Sequence, residues 1–159
     1  MLGSLEPTVT PHGLRLYPCE VVTDEGEMHS RVYLVEATAY IREWGVWPWA
    51  DPGKRWMPAE RIRAVRSSPA RLPARFANTL LAAGESGMGY HAFAVDLRDG
   101  RRLYFISGNA VDFLCWPEGL GPDDVVAVHP GQRLPEGEYR QPQPGNCNAE
   151  YAWAPFRLS

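Results

Sequence analysis

Gly84 to Pro130 reads GESGMGYHAFAVDLRDGRRLYFISGNAVDFLCWPEGLGPDDVVAVHP. Inside it, Phe93, Val95 and Leu97 alternate with Ala92, Ala94 and Asp96, the period of two of a strand. Leu103 and Phe105 continue the pattern beyond Arg98-Asp99-Gly100. A three-residue turn closed by a left-handed glycine sets Leu97 against Arg101, Val95 against Leu103 and Phe93 against Phe105. The large apolar groups other than Tyr104 and Ile106 then share one face. A two-residue Asp99-Gly100 loop shifts the register by one and scatters them. The spacing therefore predicts the three-residue turn, with Gly100 at positive φ.

Upstream of the hairpin, Pro73 to Ala83 has Phe76, Ala77, Leu80 and Leu81 on one stripe at helical spacing. Proline suits a helix start and Gly84 stands where a C-terminal cap belongs, so a helix is predicted over 73–83. Residues 1–13 carry Pro7, Pro11 and Gly13 and read as irregular. Leu14 and Leu16 begin a strand that Val21 and Val22 resume, and Asp24-Glu25-Gly26-Glu27 is a turn. Met28 to Ile41, rich in Val, Tyr and Thr, predicts one long strand or two bent ones. Pro58 to Val65 reads as a short helical turn or a strand entry, with the turn preferred. Val125 to Val128 is a last strand, and 130–159 is a Pro/Gly-rich extended tail. The aromatic end of that tail, YAWAPFRL, predicts that Trp153 or Phe156 packs back on the domain or on a partner. Two Trp-Pro corners, at Trp47-Pro48 and Trp116-Pro117, each lead to an Ala-Val strand end, too short an echo to establish a repeat. The fold class predicted is α+β, mostly antiparallel sheet or a small half-open barrel, with one main helix.

The chain has 159 residues and 45% hydrophobic residues, which predicts one domain, 1–159, able to bury a core without metal or disulfide. No apolar run reaches the ~20 residues of a membrane helix, and the first residues lack the pattern of a secretory leader. Cys19, Cys115 and Cys147 are three and widely spaced, which argues for no intramolecular disulfide and a reducing, cytoplasmic, bacterial-type setting. Net charge is −3, too small to imply a class of partner. Lys54 to Arg75 holds seven basic residues against Glu60 alone, while Glu85 to Glu138 holds nine acids, and a solvated face accounts for either run.

Catalytic grammar is thin. GESGMGY follows a helix and precedes a strand, the reverse of a phosphate-cradling loop, so it reads as a cap and a turn. Ser86 lacks the Gly-x-Ser-x-Gly setting of a nucleophile elbow. Cys115 and His129 form a nucleophile–base pair only if the fold joins them, and His91 is the remaining candidate base. The four histidines show no metal-ligand spacing, and Asp123-Asp124 reads as a turn start; no metal or cofactor is predicted.

The tryptophans carry more. Trp44, Trp47, Trp49 and Trp56 lie within residues 44–57, WGVWPWADPGKRWM, with Pro48, Pro52, Lys54 and Arg55 among them. Such a loop reads equally as a small secondary core or as an interface, because aromatic rings with arginine anchor protein contacts. Around an extended Pro48, Trp47 and Trp49 point the same way and form one two-ring surface with Lys54-Arg55 at its edge. The expectation is a non-catalytic protein-binding module, an accessory subunit or an inhibitor- or immunity-like protein, using Trp44, Trp47, Trp49, Arg55 and Trp56. The alternatives are a small enzyme with a Cys115/His129/His91 site and, third, a nucleic-acid binder, against which the acidic remainder speaks.

Overall fold

The computed structural model describes residues 2–108, 110–133 and 151–157. In chain order the elements are β1 (Thr8–Val9), β2 (Arg15–Thr23), β3 (Met28–Glu36), α1 (Ala37–Trp44), β4 (Ile62–Arg66), α2 (Ala74–Ala82), β5 (His91–Leu97), β6 (Arg102–Ser107), β7 (Val125–Pro130) and β8 (Ala152–Phe156). The fold is α+β with sheet dominant, and neither sheet closes. The chain forms two compact units, Met1–Arg71 with Glu150–Ser159, and Leu72–Ala149.

The hairpin organises the second unit. Phe93 pairs with Phe105, Val95 with Leu103 and Asp96 with Arg102, and the Leu97 N–H donates to the Arg101 carbonyl, so the predicted register holds. Gly100 sits at φ +89°, and its N–H closes the turn on the Leu97 carbonyl. The Phe93 and Phe105 rings stack at 5.6 Å. β5 is the central strand, with β7 antiparallel on its other edge. α2 lays Phe76, Ala77, Leu80 and Leu81 on the face that carries Phe93, Val95, Leu97 and Phe105, and Val111, Leu114 and Val125 complete that core. The helix spans the predicted stretch and is followed by Gly84 in the left-handed region, whose N–H donates to the Leu81 carbonyl.

In the first unit the strand order is β1-β2-β3-β8, and β4 pairs with the C-terminal half of β2. All pairs are antiparallel except β3–β8, which is parallel, from Val32↔Ala152 to Glu36↔Phe156. Opposite Glu20 of β2, β3 holds two residues, Ser30 and Arg31, a β-bulge that bends the strand. The Ser68 hydroxyl donates to the Ser30 carbonyl. One side of the sheet packs Cys19, Val21, Val32, Leu34, Ile62 and Ala154 together.

The long strand expected over Met28 to Ile41 ends at Glu36, where the chain turns into α1. Both Glu36 carboxylate oxygens accept from backbone, Oε1 from Thr38 N–H and Oε2 from Ala39 N–H. These bonds satisfy orphan donors of the helix start and hold the carboxyl below its usual pKa although partial desolvation opposes them. Gly45, at φ +72°, ends the helix with its N–H on the Ile41 carbonyl. Ala37 and Tyr40 are the buried positions.

The aromatic end of the chain is a strand and not a free tail. Trp153 is fully buried in β8, its ring stacked on Tyr33 at 4.7 Å and met edge-on by Tyr40 and Trp44.

The hairpin turn makes a direct prediction. Gly100→Val forces a β-branched residue into the left-handed region, and the fold loses roughly 1 kcal/mol or more. Urea unfolding of the two proteins measures it; an unchanged midpoint contradicts the turn.

Candidate functional site

Trp44 to Met57 runs along β8 as a strap. Trp44 ends α1, a 3-10 turn spans Pro48–Ala50, and Trp56 forms a parallel bridge with Trp153. The Trp153 N–H donates to the Arg55 carbonyl, and the Met57 N–H donates to the Trp153 carbonyl, both at 2.8 Å. Tyr40 donates its hydroxyl to Asp51 Oδ2 at 2.8 Å, which ties the strap to α1. Burial first, then the Asp51 carboxylate, raise the Tyr40 pKa, so the phenol stays a donor.

The four tryptophans divide. Trp44 packs on Tyr40 and Trp153, and Trp47 is half-buried. Trp49 and Trp56 remain 40% and 45% exposed. Trp47 and Trp49 do form one two-ring unit, with parallel rings 5.0 Å apart. The cause is the turn at Pro48 and not an extended chain. The cation beside them is also different. Arg157, just beyond β8, places its guanidinium 5.7 Å from the Trp49 ring and 6.0 Å from Trp47. Lys54 lies elsewhere, its Nζ over the Trp153 and Trp44 rings at 4.9 and 5.3 Å. Burial lowers the Lys54 pKa, and Asp51 opposes the shift.

Trp56 belongs to a different place from the Trp47–Trp49 pair. It lines an open groove of about 550 Å³ at the N-terminal end of β8, with Met28, Arg31, Arg55, Met57 and Arg61. The pair lies beside Arg157, five residues along the chain from Ala152, roughly 16 Å at the rise of a strand. The two-ring surface read from the spacing of Trp47 and Trp49 is present, and Trp56 stands apart from it. Arg55 is exposed and lines the groove.

The alternative catalytic residues do not assemble into a thiol site. Cys115 is disulfide-bonded, contrary to the expectation of free thiols, so its sulfur offers no thiolate for His129 to activate. Cys147 lies outside the described residues. Cys19 is free and buried, and burial pushes its thiol up to about 12. His91 is buried at the start of β5, and desolvation lowers its pKa against the opposing effect of Glu85 and the Gly84 backbone. Ser86 bonds the strand start, accepting from the Ala92 N–H, as a turn residue does. Asp124 accepts from the Gly121 N–H within a 3-10 turn, in agreement with the reading of Asp123-Asp124 as a turn start. Among the described residues no group of His, Cys, Asp and Glu could hold a metal ion.

His129 instead joins a polar cluster that the sequence reading missed. Asp96 Oδ1 accepts from Arg102 Nε at 2.6 Å, and Asp96 Oδ2 lies 2.7 Å from His129 Nε2. The three come from adjacent strands of one sheet, β6, β5 and β7. The Asp96–Arg102 half followed from the hairpin register; the His129 half needed the pairing of β5 with β7, which no local pattern announces.

No protein-family model, curated protein or solved structure matches the chain. No helix among the described residues is long and apolar enough to cross a membrane.

The cluster has a pH signature. Hydrogen bonds from Arg102 and then His129 hold the Asp96 carboxyl well below the usual carboxylate range. A depressed folded pKa adds stability above the unfolded value, near 4, and that stability is lost as pH falls further toward the folded value. Asp96→Asn is expected to cost about 1 kcal/mol at neutral pH and to flatten the loss of stability below pH ~4. Thermal midpoints of both proteins across acid pH check it; parallel curves contradict it.

Proposed function

We propose that this chain is a protein-binding module, an accessory subunit or an inhibitor- or immunity-like protein, and that the tryptophan strap is its contact surface. One observation carries the reading: the strap is bonded to β8 at Arg55 and Met57 and to α1 through Tyr40 and Asp51, yet leaves Trp49 and Trp56 more than a third exposed. Covering the exposed part of one such ring, on the order of 100 Å², is worth about 2–3 kcal/mol. Pro48 and Pro52 restrict the backbone, so docking costs the strap less entropy than it would cost a flexible loop. Aromatic rings with arginine beside them are the usual anchors of protein contacts, and Arg157 and Arg55 supply the arginine.

Nothing specific favours the enzyme reading. Its cysteine candidate is oxidised, and the remaining described thiol, Cys19, is protonated at neutral pH. The disulfide at Cys115 also weakens the case for a cytoplasmic site of action, which rested on three free cysteines; such bonds persist in oxidising compartments.

Trp47→Ala with Trp49→Ala is expected to abolish capture of the partner from the native host. Loss of the ring pair costs only about 1 kcal/mol, a melting shift of a few degrees. Affinity capture with mass spectrometry, run beside a melting curve, checks both. Unfolding of the double variant, or unchanged capture by it, contradicts the assignment of these rings to the interface.

A further inference from the structure

The hairpin sheet of the second unit leaves one edge open. Its strand order is β6-β5-β7, so β6 has a ladder partner on one side alone. The Leu97 N–H donates to the Arg101 carbonyl, and antiparallel bonds then recur at every second residue, through Leu103, Phe105 and Ser107. The Ala92 carbonyl has the matching phase, since it turns away from β6 to accept from the Gly131 N–H. Arg102, Tyr104 and Ile106 therefore aim their backbone N–H and C=O groups outward, and no described residue takes them. The other edges are guarded. β1 has two residues. β4 exposes Arg63 and Arg66. β7 ends in Pro130, and β8 bonds the strap at Trp153 and then has Pro155 on the same side; neither proline has an N–H. β6 has no proline and no bulge. Its one charged side chain is turned over the sheet, with Arg102 Nε and Nη2 on Asp96 at 2.6 and 3.0 Å, and so does not guard the edge.

We propose that β6 is a self-pairing edge: a second copy of this chain adds its own β6, antiparallel about a two-fold axis at Tyr104, and the two three-stranded sheets become one. The inference stands apart from the protein-binding reading. A two-fold axis across an edge strand sets the strand antiparallel to its copy, with the same residues on both sides of the contact. Centred on Tyr104, it pairs Tyr104 with its counterpart and Arg102 with Ile106 of the copy, and each pair exchanges two backbone bonds. That register alone uses every outward group. An axis at Leu103 leaves Ile106 unpaired, and one at Phe105 leaves Arg102 unpaired. The side chains are self-complementary in the same register. On the α2 side Leu103, partly buried at the rim of the core, comes against Phe105 of the copy and extends that core across the axis. On the other face the two Tyr104 rings meet, and Ile106, 39% exposed, is covered by the aliphatic stem of Arg102 of the copy. No like charges come face to face, because the two Arg102 residues lie at opposite ends of the ladder. A strand of another protein would find the same backbone groups, but β6 offers it no free charge to read. Its own alternation of Leu103 and Phe105 with Tyr104 and Ile106 matches itself.

The test uses the full chain at rising concentration, with sedimentation equilibrium reading its mass. The mass is expected to climb from the 17.8 kDa of one chain to twice that value. Ile106→Lys is expected to weaken the dimer about tenfold or more, because it sets a lysine against Arg102 of the copy. Tyr104→Pro removes the central outward N–H and leaves the bonds to β5 in place, so it is expected to stay a single chain. Should Tyr104→Pro fail to fold, Ile106→Lys, a change at a side chain already exposed, carries the same expectation. Hydrogen exchange locates the contact. The Arg102, Tyr104 and Ile106 amides are expected to slow as the dimer forms, while those of Leu103 and Phe105, bonded to β5, are slow throughout. Trp47→Ala with Trp49→Ala is expected to leave the mass unchanged. A mass of one chain up to about millimolar concentration overturns the proposal, whether β6 then stays bare or takes a strand of another protein. A dimer that Ile106→Lys leaves intact, or one that forms while the three outward amides stay fast, has its contact elsewhere and overturns it as well.

Discussion

Trp153 is the residue on which the first unit hangs. Its backbone bonds the strap on both sides of Trp56, through the Arg55 carbonyl and the Met57 N–H. The same strand lies parallel to β3, so β8 joins the strap to the sheet. Its side chain has no exposed surface and sits among Tyr33, Tyr40, Trp44 and the Lys54 ammonium. A fully buried tryptophan removes ~150–250 Å² from water, of order 4–6 kcal/mol. Two terms reduce that gain. Its indole Nε1 finds no hydrogen-bond partner among the described residues, and Lys54 is partly desolvated to reach the rings. The cation–π attraction offsets part of the second.

This arrangement explains how one strap serves both the core and solvent. Trp44 is drawn into the cluster around Trp153, and Tyr40 holds the strap by its bond to Asp51. The chain then has to turn at Pro48, which sets Trp47 and Trp49 ring to ring beside Arg157. The bridge at Trp56 pulls it back onto β8 and orients that residue at the groove. Core packing and exposed aromatic surface are therefore consequences of the same few contacts.

How much of this the sequence revealed depends on the range of the interaction. The β5–β6 hairpin was legible because its alternation and a single glycine fix the register locally. α2 was legible from its stripe and its cap. α1 was not read, although Ala37, Tyr40, Ile41 and Trp44 follow helical spacing, because the β-branched residues before it favoured a strand and the capping role of Glu36 shows only in three dimensions. β8 was read only as aromatic chain that packs somewhere. Parallel pairing of Val32 with Ala152 joins residues far apart in sequence, and no turn chemistry reports it. The disulfide at Cys115 failed for a related reason: an odd count of cysteines limits how many bonds can form, not whether one does.

The most direct measurement is amide hydrogen exchange read residue by residue at Trp153 and Met57. Both N–H groups are donors in the bonds that join the strap to β8. They are predicted to exchange as slowly as the core amides of β2 and β3, because opening them requires the Trp153 cluster to open. Exchange of either as fast as an exposed loop amide would show that the strap is not held by β8 and contradict the account.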